Sequence, residues 1–106
     1  MNNTHILLVE DNPADRDLIV LWLRAMVHFP HTIEAVTRLT EAQESLQTEQ
    51  FNIILLDLSL PDSETEHTLT SISSLAQYSP LVVMTGLEDE ETGIRAVQRG
   101  AQDYLV

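Results

Sequence analysis

Two short stretches of this chain are apolar at every position: Ile6-Leu7-Leu8-Val9 and Ile53-Ile54-Leu55-Leu56. Runs that brief, uniformly apolar and rich in branched side chains read as strands buried on both faces, as in a parallel sheet covered by helices. A third run, Leu81-Val82-Val83-Met84, opens after Pro80, and weaker strand patterns cover Thr32 to Val36 and Gln102 to Val106. The first strand spans about Thr4 to Val9 and the third Asn52 to Leu56.

Between the strands the pattern changes to helical spacing. Asn12 is a good N-cap and Pro13 suits a first helical turn, so a helix starts there. Leu18, Leu21, Trp22, Ala25 and Met26 recur along one face, which predicts core or helix-face packing for Trp22, and Pro30 stops the pattern. A second helix runs from Thr40 to about Gln50, and a third of weak propensity from Glu66 to Gln77. A fourth opens on Glu88 to Glu91, acids that suit a helix N-terminus, and runs to Gly100, a C-cap residue.

Five strands alternating with helices predict an α/β fold with a doubly wound parallel sheet. Right-handed crossovers leave few topologies, and the order 2-1-3-4-5 puts strands one and three side by side. Their carboxyl ends then meet at a switch point, where such sheets bind ligands. Glu10 and Asp11 end the first strand, and Asp57 ends the third. The expectation is a cation site with a spare carboxylate.

Composition narrows the function. A length of 106 residues predicts one domain, and 43% hydrophobic content argues against disorder. Seventeen acidic residues against five basic ones give a formal charge of -12, and all five are arginine. Such a surface is a poor match for nucleic acid or anionic lipid. No apolar run approaches the roughly 20 residues of a membrane span, and the N-terminus lacks the basic start of a signal peptide. The absence of cysteine excludes a disulfide framework and suits a cytoplasmic location. His5, His28, His31 and His67 offer no matching ligand set, with His28 and His31 expected in a loop near Pro30.

Four motifs in register carry a family resemblance. Glu10-Asp11, Asp57-Leu58-Ser59-Leu60-Pro61, Thr85-Gly86 and Gly100-Ala101-Gln102-Asp103-Tyr104 each fall at a strand end or just before the last strand. Together they resemble a two-component response-regulator receiver domain over essentially the whole chain, 1 to 106. The resemblance implies that Asp57 accepts a phosphoryl group from a histidine kinase or phosphotransfer protein, forming an acyl phosphate. It implies Mg²⁺ held by Glu10, Asp11, Asp57 and the backbone carbonyl of Ser59. Thr85 would be the switch hydroxyl and Tyr104 the switch aromatic, moving the face of helix four and strand five for a partner to read. The domain would be a phosphoacceptor module and not an enzyme, catalysing only its own phosphoryl transfer and dephosphorylation.

The family's Asp-Tyr-Leu-x-Lys ending places its lysine just past Val106, and a last helix would follow. The resemblance therefore implies a C-terminally incomplete receiver, with any output domain after the C-terminus and a homodimer through the helix-four side. No lysine occurs anywhere in the chain, and a receiver without it is expected to be phosphorylated poorly. Thr65-Glu66 stands where the family usually has a glycine and an apolar residue, which predicts strain in that loop. These departures favour an alternative: a pseudo-receiver that docks proteins without phosphorylation. Enzyme readings fit less well. A flavodoxin-type site wants a Ser/Thr/Gly-rich loop where Glu10-Asp11-Asn12-Pro13 stands, and an aspartyl phosphohydrolase commonly wants a second aspartate where Ser59 stands.

Overall fold

Apolar strands must pair and be covered, and the computed structural model shows how, describing residues 3–57, 65–76, 79–84 and 103–105. Five parallel strands form one sheet in the order β2-β1-β3-β4-β5. They are β1 (Thr4–Val9), β2 (His31–Val36), β3 (Ile53–Asp57), β4 (Leu81–Met84) and β5 (Asp103–Leu105). Among the described residues, three helices connect or cover them: α1 (Pro13–Met26), α2 (Leu39–Thr48) and α3 (Thr65–Leu75). The expected α/β architecture and strand order are thus present. The fourth helix expected over 88–100 lies outside the described residues.

The two sheet faces carry unequal cores. On one, Leu7, Val9, Ile54 and Leu56 are fully buried against Leu39 and Ala42 of α2 and Leu69 and Ile72 of α3. On the other, Ile6, Leu8 and Leu55 pack against Ile19, Val20 and Leu23 of α1, all three only partly buried. Alternation along β1 sends Ile6 and Leu8 one way and Leu7 and Val9 the other, so each strand feeds both cores.

The helical face predicted for α1 is corrected by this packing. Leu18, Leu21, Trp22, Ala25 and Met26 point to solvent, with Trp22 57% exposed, while Ile19, Val20 and Leu23 meet the sheet. Six consecutive apolar residues, Leu18 to Leu23, leave the helical phase undetermined, and the sheet's position decides it. The start is as expected: the Asn12 side chain accepts from the Asp15 N–H at 3.1 Å, and Pro13 is the first helical residue. Two smaller expectations also change. His31 begins β2 instead of lying in a loop, and Thr65 is the first residue of α3, a right-handed helical position that requires no positive φ.

Contacts at the amino end of the sheet set the register. The His5 N–H donates to Asn52 Oδ1 at 2.7 Å, and the Asn52 N–H donates to the His5 carbonyl at 2.7 Å. The His5 imidazole lies 4.5 Å from the Phe51 ring and 3.4 Å from the Glu49 carboxylate. With β1 and β3 locked there, Leu8 pairs with Leu55 and Val9 with Leu56. The next residue on each strand is Glu10 or Asp57. That register positions the site.

Candidate metal and phosphoacceptor site

Glu10 leaves β1 at its carboxyl end, where its N–H still donates to the Val36 carbonyl at 3.0 Å. The bond carries the β1–β2 ladder one residue past the strand and directs the Glu10 side chain toward β3. Its residue is 6% exposed, which is unusual for a carboxylate without a paired cation. Glu10 Oε1 accepts from the Asn12 N–H at 3.1 Å. Asn12 therefore serves two groups at once: its side chain caps α1 and its backbone holds Glu10.

Asp11, half-buried, follows on the turn into α1, and Asp57 ends β3, also half-buried. One carboxylate oxygen from each of Glu10, Asp11 and Asp57 lies within 4.8 Å of the other two. Three formal negative charges in that space repel unless a proton or cation intervenes. Burial pushes the Glu10 carboxyl up to about 7, and the Asp57 and Asp11 charges and a hydrogen bond to the Asp57 side chain add to the rise. The Asn12 N–H opposes it by favouring the ionised form. The hydrogen bond to the Asp57 side chain favours the protonated form of Glu10.

The donor set suits a hard divalent ion. Mg²⁺ takes oxygen ligands, keeps several waters and is commonly bound through one or two carboxylates plus phosphate oxygens. Three clustered carboxylates, with no sulfur or imidazole beside them among the described residues, offer that chemistry and disfavour zinc or copper. Burial is unequal across the cluster: Glu10 is buried, while Asp11 and Asp57 remain partly exposed.

Of the other residues singled out from the sequence, Ser59 and Thr85 lie outside the described residues. Tyr104 occupies β5, paired in register with Val83. The role of the Asn12 N–H was not apparent from the sequence, where Asn12 reads as a cap; its place directly after two acids was the available signal.

Comparison with known proteins agrees with the geometry. A family model for the response regulator receiver domain matches residues 6–106. The transcriptional regulatory protein KdpE of Staphylococcus aureus is 31% identical over 102 residues, covering 94% of this chain and 42% of that protein. BasR of Escherichia coli K12 is also 31% identical, over 101 residues, covering 95% of this chain and 44% of its own length. The chain thus spans less than half of either relative. Among solved structures, the phosphorylated cyanobacterial phytochrome response regulator RcpA superposes with a TM-score of 0.86 at 29% identity, covering 99% of this chain and 81% of that one. The receiver domain of a sensor histidine kinase from Pseudomonas aeruginosa, with a magnesium ion coordinated in its active site cleft, gives 0.80 at 26% identity, covering 99% and 85%. A match that takes in all five strands and the acidic ends of β1 and β3 settles the family: the chain belongs to the response regulator receiver domains.

Proposed function

We propose that Asp57 is the phosphoacceptor of this receiver and that Glu10 and Asp11 hold the Mg²⁺ its chemistry requires. The observation that carries the reading is the convergence of three carboxylates at the ends of adjacent strands, one of them buried and shifted toward its protonated form. Burying a carboxylate among like charges is unfavourable without a cation. A module built only to dock proteins has no use for that arrangement, which weighs against the pseudo-receiver alternative.

In this reading an Asp57 carboxylate oxygen attacks the phosphorus of a phosphorylated donor. An O–P bond forms, the bond to the donor's leaving atom breaks, and an acyl phosphate results. Positioning and charge neutralisation supply most of the acceleration. Asp57 is aimed by its place at the end of β3, with Leu56 held in register against Val9. Glu10 and Asp11 would hold the ion, with the Ser59 carbonyl completing the protein ligands. When bound, the ion would neutralise the phosphoryl oxygens beside Asp57. Thr85 and Tyr104 would relay the event to the surface of β5 and the segment before it.

The donor in this reading is a histidine kinase or phosphotransfer protein, and the output lies in a further domain or a separate partner. The magnesium in the Pseudomonas receiver and the phosphorylated state of RcpA support it. Intact mass after incubation with Mg²⁺ and phosphoramidate tests it. The expected result is one added phosphoryl group in the wild-type chain and none in Asp57→Asn. An adduct that persists in the Asn variant would move the acceptor elsewhere, and a wild-type chain inert to both phosphoramidate and a phosphorylated kinase would favour the docking module.

A further inference from the structure

The peptide group between Val36 and Thr37 is held from both sides. Its carbonyl accepts from the Glu10 N–H at 3.0 Å, and its N–H donates to Glu41 Oε1 at 3.2 Å. The Thr37 hydroxyl donates to the same oxygen at 2.8 Å. A trans peptide group is planar and points its C=O and N–H to opposite sides, so fixing the N–H fixes the carbonyl. A charged acceptor on the N–H also polarises the group and strengthens the bond that its carbonyl accepts. Glu41 supplies that charge: the Thr37 hydroxyl, and then the Thr37 N–H, hold its carboxyl below its ordinary pKa.

We propose that Glu41 is a positioning residue for the acidic site, acting on Glu10 through this one peptide group. The inference rests on the reading of Glu10 as a Mg²⁺ ligand. β2 is the first strand in the sheet order, so among the described residues β1 alone pairs with it, and Val9 with Val36 is their last register pair. Beyond Val36 the chain leaves the sheet, and the ladder no longer orients the carbonyl to which Glu10 bonds. Glu41 can do so because its own backbone is fixed. Leu39 and Ala42, its neighbours in the first turn of α2, are both buried in the core on that face of the sheet.

The bonding pattern separates this role from ordinary capping. A glutamate at the third position of a helix usually reaches back to the N–H of the N-cap residue. Here Arg38 is the N-cap of α2, without a side-chain cap bond, and Glu41 is the third helical residue. Its hydrogen bonds at 2.8 and 3.2 Å reach Thr37, one residue further back, and the Arg38 N–H contributes least to keeping it ionised. Thr37 belongs to the peptide group that receives Glu10. The path from Glu41 to the site is therefore two hydrogen bonds and one peptide plane long.

The test combines amide hydrogen exchange by NMR with calorimetric Mg²⁺ titration, on the full chain as wild type, Glu41→Ala and Glu41→Gln. Exchange is read in EDTA at the Glu10 amide, against the Leu8 amide within β1. Glu41→Ala should speed exchange at Glu10 by about tenfold or more, while Leu8 follows only the change in global stability. The same variant should bind Mg²⁺ about threefold to tenfold more weakly. Glutamine keeps an acceptor oxygen and should recover part of both effects. Equal acceleration at Glu10 and Leu8 would mean a purely structural role and overturn the proposal. So would a Glu10 amide at the wild-type rate, an unchanged Mg²⁺ affinity, or a Gln variant no better than Ala. A wild-type chain that binds no Mg²⁺ fails at the earlier step: it overturns the reading of Glu10 as a ligand, and the proposal with it.

Discussion

Glu10→Gln is expected to stabilise the metal-free domain at neutral and alkaline pH. Burial, reinforced by the charges of Asp57 and Asp11, raises the Glu10 carboxyl from 4.5 to about 7. At about 1.4 kcal/mol per pKa unit, that displacement corresponds to about 3 kcal/mol between the two protonation states. The direction follows from proton uptake. Between pH 4.5 and about 7 the unfolded chain has released this proton while the folded chain still holds it, so stability falls as pH rises across that window. Below the window the penalty is absent, and above it the penalty is complete. Glutamine keeps an acceptor for the Asn12 N–H and offers an N–H to Asp57, but carries no charge. Urea unfolding followed by far-UV circular dichroism in EDTA should give a variant more stable than wild type by about 3 kcal/mol near pH 8 and nearly equal to it near pH 4.5. For a domain of this length the difference is roughly 10–20 °C in Tm. Saturating Mg²⁺ should reverse the order, because the ion stabilises whichever folded chain binds it more tightly. Identical pH slopes for the two proteins in EDTA would refute the electrostatic reasoning.

Other substitutions separate site from scaffold. Asp11→Ala should weaken Mg²⁺ binding by about tenfold or more while leaving Tm in EDTA unchanged or higher, and calorimetric titration checks both. Asn12→Ala removes the cap on α1 but keeps the backbone N–H to Glu10, so it should cost about 1 kcal/mol in urea unfolding with Mg²⁺ affinity nearly intact. Leu7→Ala empties a fully buried position between β1 and the α2–α3 layer and should cost about 2–5 kcal/mol, read by the same unfolding curves. Thr85→Ala should permit phosphorylation in the mass assay while abolishing any gain in partner binding on phosphorylation, read by calorimetric titration.

The strands were legible because their signal is local. Short, wholly apolar runs bounded by polar residues announce strands buried on both faces, and the acids at their ends follow at once. Strand order was legible through the chirality of the crossovers, and it suffices to bring Glu10 and Asp57 together. The phase of α1 was not legible. Leu18 to Leu23 offers no polar residue to mark the outer face, so an exposed stripe and a buried one look alike until the sheet is in place. The end of α1 was legible: Met26 is the last periodic residue before Pro30, and the helix ends there, with the Val27 N–H bonded to the Leu23 carbonyl. Within the site, the sequence treats Glu10 and Asp11 as equals. Their difference in burial depends on the ladder bond to Val36, which exists only after β2 has docked, and on the local Asn12 N–H.

The pairing of β1 with β3 sets when, as well as where, the acidic site comes into being. Leu8 and Leu55 are neighbours in the sheet but 47 residues apart in the chain, since 55 less 8 is 47. Closing that loop has an entropic cost that local helix formation does not offset, and parallel pairing across such distances is slow. α1 and α2 can form from nearby residues, yet neither can bring Asp57 to Glu10. The carboxylates therefore converge only after the long-range steps of folding are complete. A nascent or partly unfolded chain holds Glu10 and Asp11 side by side but Asp57 far from both, with no cluster of three carboxylates. Competence to bind a divalent ion thus reports on the completed topology, so signalling through this domain is gated by its own folding.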